Sequence, residues 1–352
     1  MASPARASPS AGWPRNRAMQ RIAVIGAGAW GTALALQAAR AGGEVMLWAR
    51  DPARAAAMQA IRENAAHLPG HTLPPAIRIT ADAAEALAGA GLALLVVPAQ
   101  HMESVLAGFP ALPPSLVAAK GVTVRGHRLP LETLALLRPG LSTGVLSGPN
   151  FAAEIAGGLP AAAVVASVDS GLREAAAARL ATPGFRLYGQ DDPVGVQVGG
   201  AAKNVIAIAA GAVMGAGLGE NARAALVTRG LSEISRLAVA LGGRAETVAG
   251  LSGLGDLLLT CTGPGSRNFS LGFALGQGRQ LKDILAGRSS VTEGVATAPA
   301  LLARAAEAGV EMPITAAVAA VLSGALDVPR AMEALLARPR RQEGLQPEGP
   351  GS

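Results

Sequence analysis

A short β-branched run, Arg21 to Ile25, leads directly into Gly26-Ala-Gly28-Ala-Trp-Gly31 and then into an apolar stretch, 32–41, of helical length. Few folds satisfy that order of strand, GxGxxG turn and helix. Gly26 permits the tight turn, Gly28 lets a pyrophosphate approach the backbone, and Gly31 lets the helix pack close to the strand. The free amides and positive dipole end of such a helix suit bound phosphate. A second strand, 44–49, ends at Trp48-Ala-Arg50-Asp51. The usual mark of NAD is an acid about 20 residues past the glycines. Here Arg50 could pair with a 2′-phosphate. Asp51 could cap a helix beside Pro52 or, in another rotamer, accept from a ribose 2′-hydroxyl. The reading favours NADP, with NAD also accepted.

The alternation continues. A helix is expected over 53–66, then a loop containing Pro69, Gly70, Pro74 and Pro75. Strands are expected at 77–80, 92–97, 116–119 and 143–146, with helices at 82–88, 101–107 and 129–137 between them. Residues 161–166, a helix at 169–182 and a strand at 185–188 extend the pattern. Strands alternating with helices predict a mostly parallel sheet covered on both faces. The texture changes near Pro193, after which 198–214, 220–242, 268–276, 294–308 and 313–324 have helical periodicity and little strand signal. The expected organisation is therefore a disordered extension over 1–20, an α/β Rossmann-like domain over 21–192, an all-α domain over 193–338, and a disordered tail over 339–352.

Composition narrows the function classes. Half of the 352 residues are hydrophobic and 15% are charged, enough apolar material for two cores. The net charge of +6 is spread out, with arginines gathered at the two ends, so no nucleic-acid face is expected. The one cysteine, Cys261, excludes an intrachain disulfide and a cysteine-based metal site. His67, His71, His101 and His127 show no metal-ligand spacing, and His67-Leu-Pro-Gly-His71 reads as a loop. The Ala-rich stretch 205–218 comes nearest to a membrane span but reads better as a buried helix, and the first 20 residues lack the apolar core of a secretory signal.

Lysine carries information because there are only three, Lys120, Lys203 and Lys282, while arginine supplies the routine surface charge. Lys120 follows a predicted strand and so belongs at the C-terminal edge of the sheet, where open α/β folds bind ligands. Lys203 lies in the apolar segment VGGAAKNVIAIAAG and must reach solvent, an acid or a ligand. A lysine beside a carbonyl can stabilise a developing alkoxide and hand over its proton, while a nicotinamide supplies hydride. Asp256 falls in a predicted loop, Gly250-Leu-Ser-Gly-Leu-Gly-Asp256. Ser266-Arg267-Asn268 before a helix offers hydroxyl, guanidinium, amide and backbone donors to an anion, or alternatively an ordinary cap and a surface arginine.

From about 21 to 335 the chain resembles bacterial NAD(P)-dependent glycerol-3-phosphate dehydrogenases. The segments that carry the resemblance are GAGAWGTALA, LWARDP, VPAQ, Lys120-Gly121, LSGPNFAAE, GGAAKNVIAIAAG, LSGLGDLLLTC, GPGSRNFSLG and TEGVAT. The resemblance implies a Rossmann-like domain followed by a helical domain like that of 6-phosphogluconate dehydrogenase, with the site between them. It implies reduction of dihydroxyacetone phosphate to sn-glycerol 3-phosphate in support of glycerophospholipid synthesis, in a cytoplasmic homodimer without metal, nucleic acid or stable membrane insertion. It makes Lys203 the proton donor and Lys120 a substrate ligand near the nicotinamide. Gly148, Asn150, Asp256, Ser266, Arg267 and Asn268 become further substrate positions. Gly26, Gly28, Ala29, Trp30, Gly31, Arg50, Lys120, Ala152, Arg267 and Glu293 become cofactor positions. Two departures stand out: Asn150 where Ser or Thr is usual, and Phe269 where a basic residue is usual. A keto-acid reductase of the same plan would also use Lys203 and Arg267. A non-catalytic dinucleotide sensor would need the glycines but not the lysines.

Overall fold

The computed structural model describes residues 21–287 and 292–339. The extension expected over 1–20, and all of the expected tail except Pro339, lie outside the described residues. Arg21–Ile25 forms β1, followed by α1 (Ala29–Arg40), β2 (Val45–Trp48), α2 (Pro52–Ile61), β3 (Glu63–Asn64), β4 (Leu68–Thr72), β5 (Ile77–Thr80) and α3 (Ala83–Leu87). Next come β6 (Ala90–Leu95), α4 (Met102–Leu106), β7 (Ser115–Val117), α5 (Pro130–Leu137), β8 (Thr143–Ser147) and α6 (Ala152–Gly157). β9 (Ala161–Ala166), α7 (Ser170–Leu180) and β10 (Phe185–Gln190) complete the α/β half.

Eight strands make one sheet in the order β10-β9-β8-β7-β6-β1-β2-β5. Side chains alternate along each strand. Ile22 and Val24 of β1 pack under α1 on one face, while Ala23 and Ile25 pack with Ala86, Met102 and Leu134 on the other. Both faces are dry, so β1 can be apolar throughout, and each such fully buried large aliphatic contributes roughly 1.5–3 kcal/mol. The direction of travel reverses between β1 and β6, which opens a crevice at the strands' C-terminal ends.

The sheet is mostly parallel as expected, two expectations need correction, and α6 was not foreseen. The sheet is parallel from β5 through β8, but β9 runs antiparallel to β8 and carries β10 with it. The helix predicted over 53–66 stops at Ile61, because Arg62 takes a left-handed conformation with φ 55°. The following segment, including His67-Leu-Pro-Gly-His71, is no loop. β3 and β4 pair there as an antiparallel hairpin, tied by a hydrogen bond from Gly70 N to Glu63 Oε1 at 2.9 Å. α6, after Asn150, had no sequence signal strong enough to be predicted.

From Pro193 onward every described element is helical: α8 (Pro193–Gly215), α9 (Gly219–Ala240), α10 (Ala245–Val248), α11 (Asp256–Cys261), α12 (Arg267–Gly276), α13 (Leu281–Ala286), α14 (Glu293–Glu307), α15 (Pro313–Ser323) and α16 (Val328–Leu336). α8 is long and apolar enough to cross a membrane, yet 78% of its apolar window is buried, and it is the axis of this half. A Cβ on Gly211 would come within 2.0 Å of Phe269 O, and one on Gly272 within 1.9 Å of Ile208 O. α8 and α12 therefore touch backbone to backbone, which fixes the N-terminus of α12 relative to Lys203.

Candidate active site

The glycine turn shows why each of its three positions lacks a side chain. Gly26 has φ +119°, and a Cβ there would lie 3.0 Å from the carbonyl of Val96. A Cβ on Gly31 would sit 1.8 Å from Gly26 O, so α1 can pack this close only with glycine. Gly28 differs, since nothing lies within 4 Å of its missing Cβ. No side chain caps α1, and its first turn, which contains Ala29, Trp30 and Gly31, holds no acid. An open backbone approach beside uncapped amides fits the pyrophosphate of a dinucleotide. Arg50 is exposed past the end of β2, and Asp51 Oδ1 caps α2 by accepting from Ala53 N at 2.9 Å.

Where the end of β7 meets α8 and α11, three charged side chains converge. Lys203 Nζ donates to Asp256 Oδ1 at 2.5 Å and to Thr260 Oγ1 at 3.0 Å. Lys120 Nζ donates to the other oxygen of Asp256 and, at 3.3 Å, to Gly148 O. Asp256 is not in a loop as the sequence suggested. A π-helical turn, Leu251–Gly255, leads into α11, and Asp256 is its first residue. That turn is pressed against α8, where a Cβ on Gly199 would meet Gly253 Cα at 3.1 Å. Asp256 is completely buried and Lys203 nearly so. Burial pulls the Lys203 ammonium down to about 8; Asp256 opposes that shift and Lys120 adds to it. Two ammonium groups share the Asp256 carboxylate, with Glu293 as a further acid acting on Lys203, and ammonium donors at this point suit an anionic substrate and a developing alkoxide. Cys261 is adjacent in sequence, but its buried thiol is pushed up to about 12 and is no nucleophile at neutral pH.

Of the remaining predicted positions, Gly148 touches this cluster through Lys120. Gly148 (φ +146°) and Asn150 follow β8. Asn150 donates to Ala162 O at 3.3 Å, and its buried Oδ1 has no protein partner, as is also true of Ser147 Oγ. Ala152 opens α6. Ser266 Oγ is spent as the cap of α12, accepting from Phe269 N at 3.2 Å. Asn268 turns inward, donating to Asn204 Oδ1 at 2.9 Å and accepting from Gly294 N at 3.0 Å. Asn204 in turn donates to Glu293 at 3.1 Å. Arg267 is the first residue of α12 and the cationic side chain of the Ser266-Arg267-Asn268 segment.

Comparison with known proteins decides the family. Residues 21–173 match the N-terminal domain of NAD-dependent glycerol-3-phosphate dehydrogenase, and residues 192–333 match its C-terminal domain. The chain belongs to the NAD-dependent glycerol-3-phosphate dehydrogenase family. A glycerol-3-phosphate dehydrogenase [NAD(P)+] of Rhodospirillum rubrum is 53% identical over 333 residues, 94% of this chain and 95% of that one. Its counterpart in Caulobacter vibrioides is 52% identical, over 92% and 99% of the two chains. The crystal structure of the Coxiella burnetii glycerol-3-phosphate dehydrogenase superposes with a TM-score of 0.86 at 39% identity, covering 91% of this chain and all of that one.

Within this dehydrogenase family member, sequence reasoning missed three groups beside the site. Thr260 anchors Lys203 one helical turn beyond Asp256, a spacing of four that was legible. Asn204 links Asn268 to Glu293 and directly follows Lys203 in the sequence. Arg54 and Asn64 both donate to the carbonyl of Ala27 in the glycine turn, a contact that depends on the unpredicted β3–β4 hairpin.

Proposed function

We propose that this chain interconverts dihydroxyacetone phosphate and sn-glycerol 3-phosphate with NAD(P)H, and that Lys203 is its proton donor. The observation that carries the reading is the buried Lys120–Asp256–Lys203 cluster, with Lys120 just past the C-terminal end of β7. The bound nicotinamide supplies hydride to the carbonyl carbon. Lys203 Nζ gives its proton to the carbonyl oxygen as charge grows there, and takes it back in the oxidation direction. Its lowered pKa suits both roles near neutral pH. Asp256 aims the ammonium and keeps it charged until the proton leaves. Lys120, held at Gly148 O, receives the substrate oxygens together with Asn150, whose unpartnered Oδ1 can accept from a hydroxyl. Arg267 holds the phosphate at the start of α12, where helix amides add to the guanidinium; Ser266 contributes its hydroxyl hydrogen while its oxygen caps the helix, and Asn268 the amide hydrogen not given to Asn204.

Cofactor contacts are assigned to Gly26, Gly28, Ala29, Trp30, Gly31, Arg50, Lys120, Ala152, Arg267 and Glu293, with NADPH preferred because Arg50 stands where an acid would favour NAD. The domain division is proposed at 192/193, and the working form as a cytoplasmic homodimer feeding glycerophospholipid synthesis. The test is loss of reduced-nicotinamide absorbance with dihydroxyacetone phosphate, with ketopantoate and unphosphorylated dihydroxyacetone as controls. Turnover confined to the phosphorylated ketone supports the assignment, and turnover of the keto acid alone sinks it.

A further inference from the structure

The edge of the glycine turn that faces β2 carries a cation, Arg54, whose neighbouring charge is Asp51 and which has a buried donor without a partner. Gly26 N donates to Trp48 O at 3.2 Å, so the end of β2 and the start of α2 lie directly alongside the turn. This is the side on which dinucleotide folds read the adenosine ribose. Arg54 projects there from the first turn of α2. Its Nη2 donates to Ala27 O and, at 3.4 Å, to Asn64 Oδ1, while its buried Nε has no partner. Among the described residues its guanidinium makes no ion pair. The nearest acid, Asp51, spends Oδ1 on the amides of Ala53 and Arg54. A partly desolvated guanidinium with an unused donor is a costly arrangement until an anion completes it.

The brace of the turn does not depend on Arg54. Asn64 Nδ2 donates to the same Ala27 carbonyl at 3.1 Å and to Thr32 Oγ1 at 2.7 Å. A bracing role for Arg54 would thus be redundant, whereas a charge role has no substitute in this position except Arg50.

We propose that Arg54 is a specificity residue that, with Arg50, binds the 2′-phosphate of the dinucleotide. This rests on the NADPH preference proposed above and assigns it to a named pair of side chains. Asp51 Oδ1 is taken up as the cap of α2, so the two arginines are the groups at this edge that can receive a 2′-phosphate.

The test is calorimetric titration of the full chain with adenosine 2′,5′-bisphosphate and with 5′-AMP, without turnover, for the native protein, Arg54→Met and Arg50→Met. Loss of a charge-assisted contact of this kind weakens binding about 10-fold to 100-fold. The expected result is such a loss for the bisphosphate with Arg54→Met, while 5′-AMP changes less than about 2-fold. Arg54→Lys, which keeps the charge but loses the fork, should fall in between and serves if the methionine variant does not fold. Equal weakening of both ligands would make Arg54 a structural brace and overturn the proposal. So would undiminished discrimination in Arg54→Met. Native protein that binds both ligands equally would instead remove the NADPH preference itself, a result distinguishable from failure at Arg54 alone.

Discussion

The two sides of the site are built by opposite means. On the dinucleotide side the decisive residues are glycines, and the site consists of room and of amides that no side chain has taken. On the chemical side the decisive residues are two lysines and an aspartate packed into a nearly dry space. The first side costs little, because a cofactor brings its own charge and the backbone only has to be open to it. The second is expensive, because each buried charge must be matched by another. Binding can therefore be disturbed at the open position of the first side, Gly28, without harming the fold, whereas the second side couples chemistry to stability.

The largest expected effect tests whether the chemical side acts in the chemical step alone. Lys203→Met should lower kcat about 1,000-fold or more, as loss of a general acid does, while NADPH affinity measured by fluorescence stays within about 2-fold. Equal loss of binding and turnover would mean that the two sides are not separable. Asp256→Asn comes next, with an expected fall in kcat of about 100-fold, and it carries a pH signature. With Lys203 as the proposed proton donor, ketone reduction by the native protein should slow as pH rises through about 8, where the ammonium is lost. Asp256 raises that pKa, so the variant's alkaline limb should move to lower pH. A limb that stays in place would remove Asp256 as the group that holds the ammonium.

Gly28→Ala probes the other side. The added methyl enters open space, so the melting temperature should hold while KM for the cofactor rises about 10-fold. Gly31→Ala meets a carbonyl instead and should destabilise the fold. If both variants behave alike, the contrast drawn between open and packed glycines fails.

The smallest effect concerns a buried acid that lacks a lysine. Glu233 on α9 accepts from Ile314 N at 2.7 Å and Thr315 N at 3.3 Å, capping α15. Burial pushes its carboxyl up from 4.5 to about 7 despite those amides. The folded state thus holds this proton more tightly than the unfolded one. Its contribution is full below the unfolded value and is lost as pH rises through about 7. Urea titrations at mildly acidic and mildly alkaline pH should show a drop of about 1–3 kcal/mol in the native protein that is smaller in Glu233→Gln. The same slope in both proteins would place the titration elsewhere.

Much of the dinucleotide side was legible in the sequence. The run from Arg21 to Gly31 states its own backbone demands, and Asp51 before Pro52 announces a helix start. The hairpin after Ile61 was not legible, because one left-handed Arg62 ends the helix in a segment whose composition still favours it. Asp256 was singled out, and the structure pairs it with both lysines, but its surroundings were read as a loop. Three glycines in six residues look like a turn until packing against α8 winds them into a π-helical one.

By itself the sequence determined the strand–turn–helix of the cofactor half, the change to helices near Pro193, and the scarcity of lysine that drew attention to Lys120 and Lys203. These are local matters, decided by backbone freedom, side-chain period and composition. Only the tertiary structure decided that one carboxylate serves both lysines, across separations of 136 and 53 residues. Charge pairing at that range depends on helices brought backbone to backbone by Gly199, Gly211 and Gly272, and no local signal states where such close packing will carry a side chain.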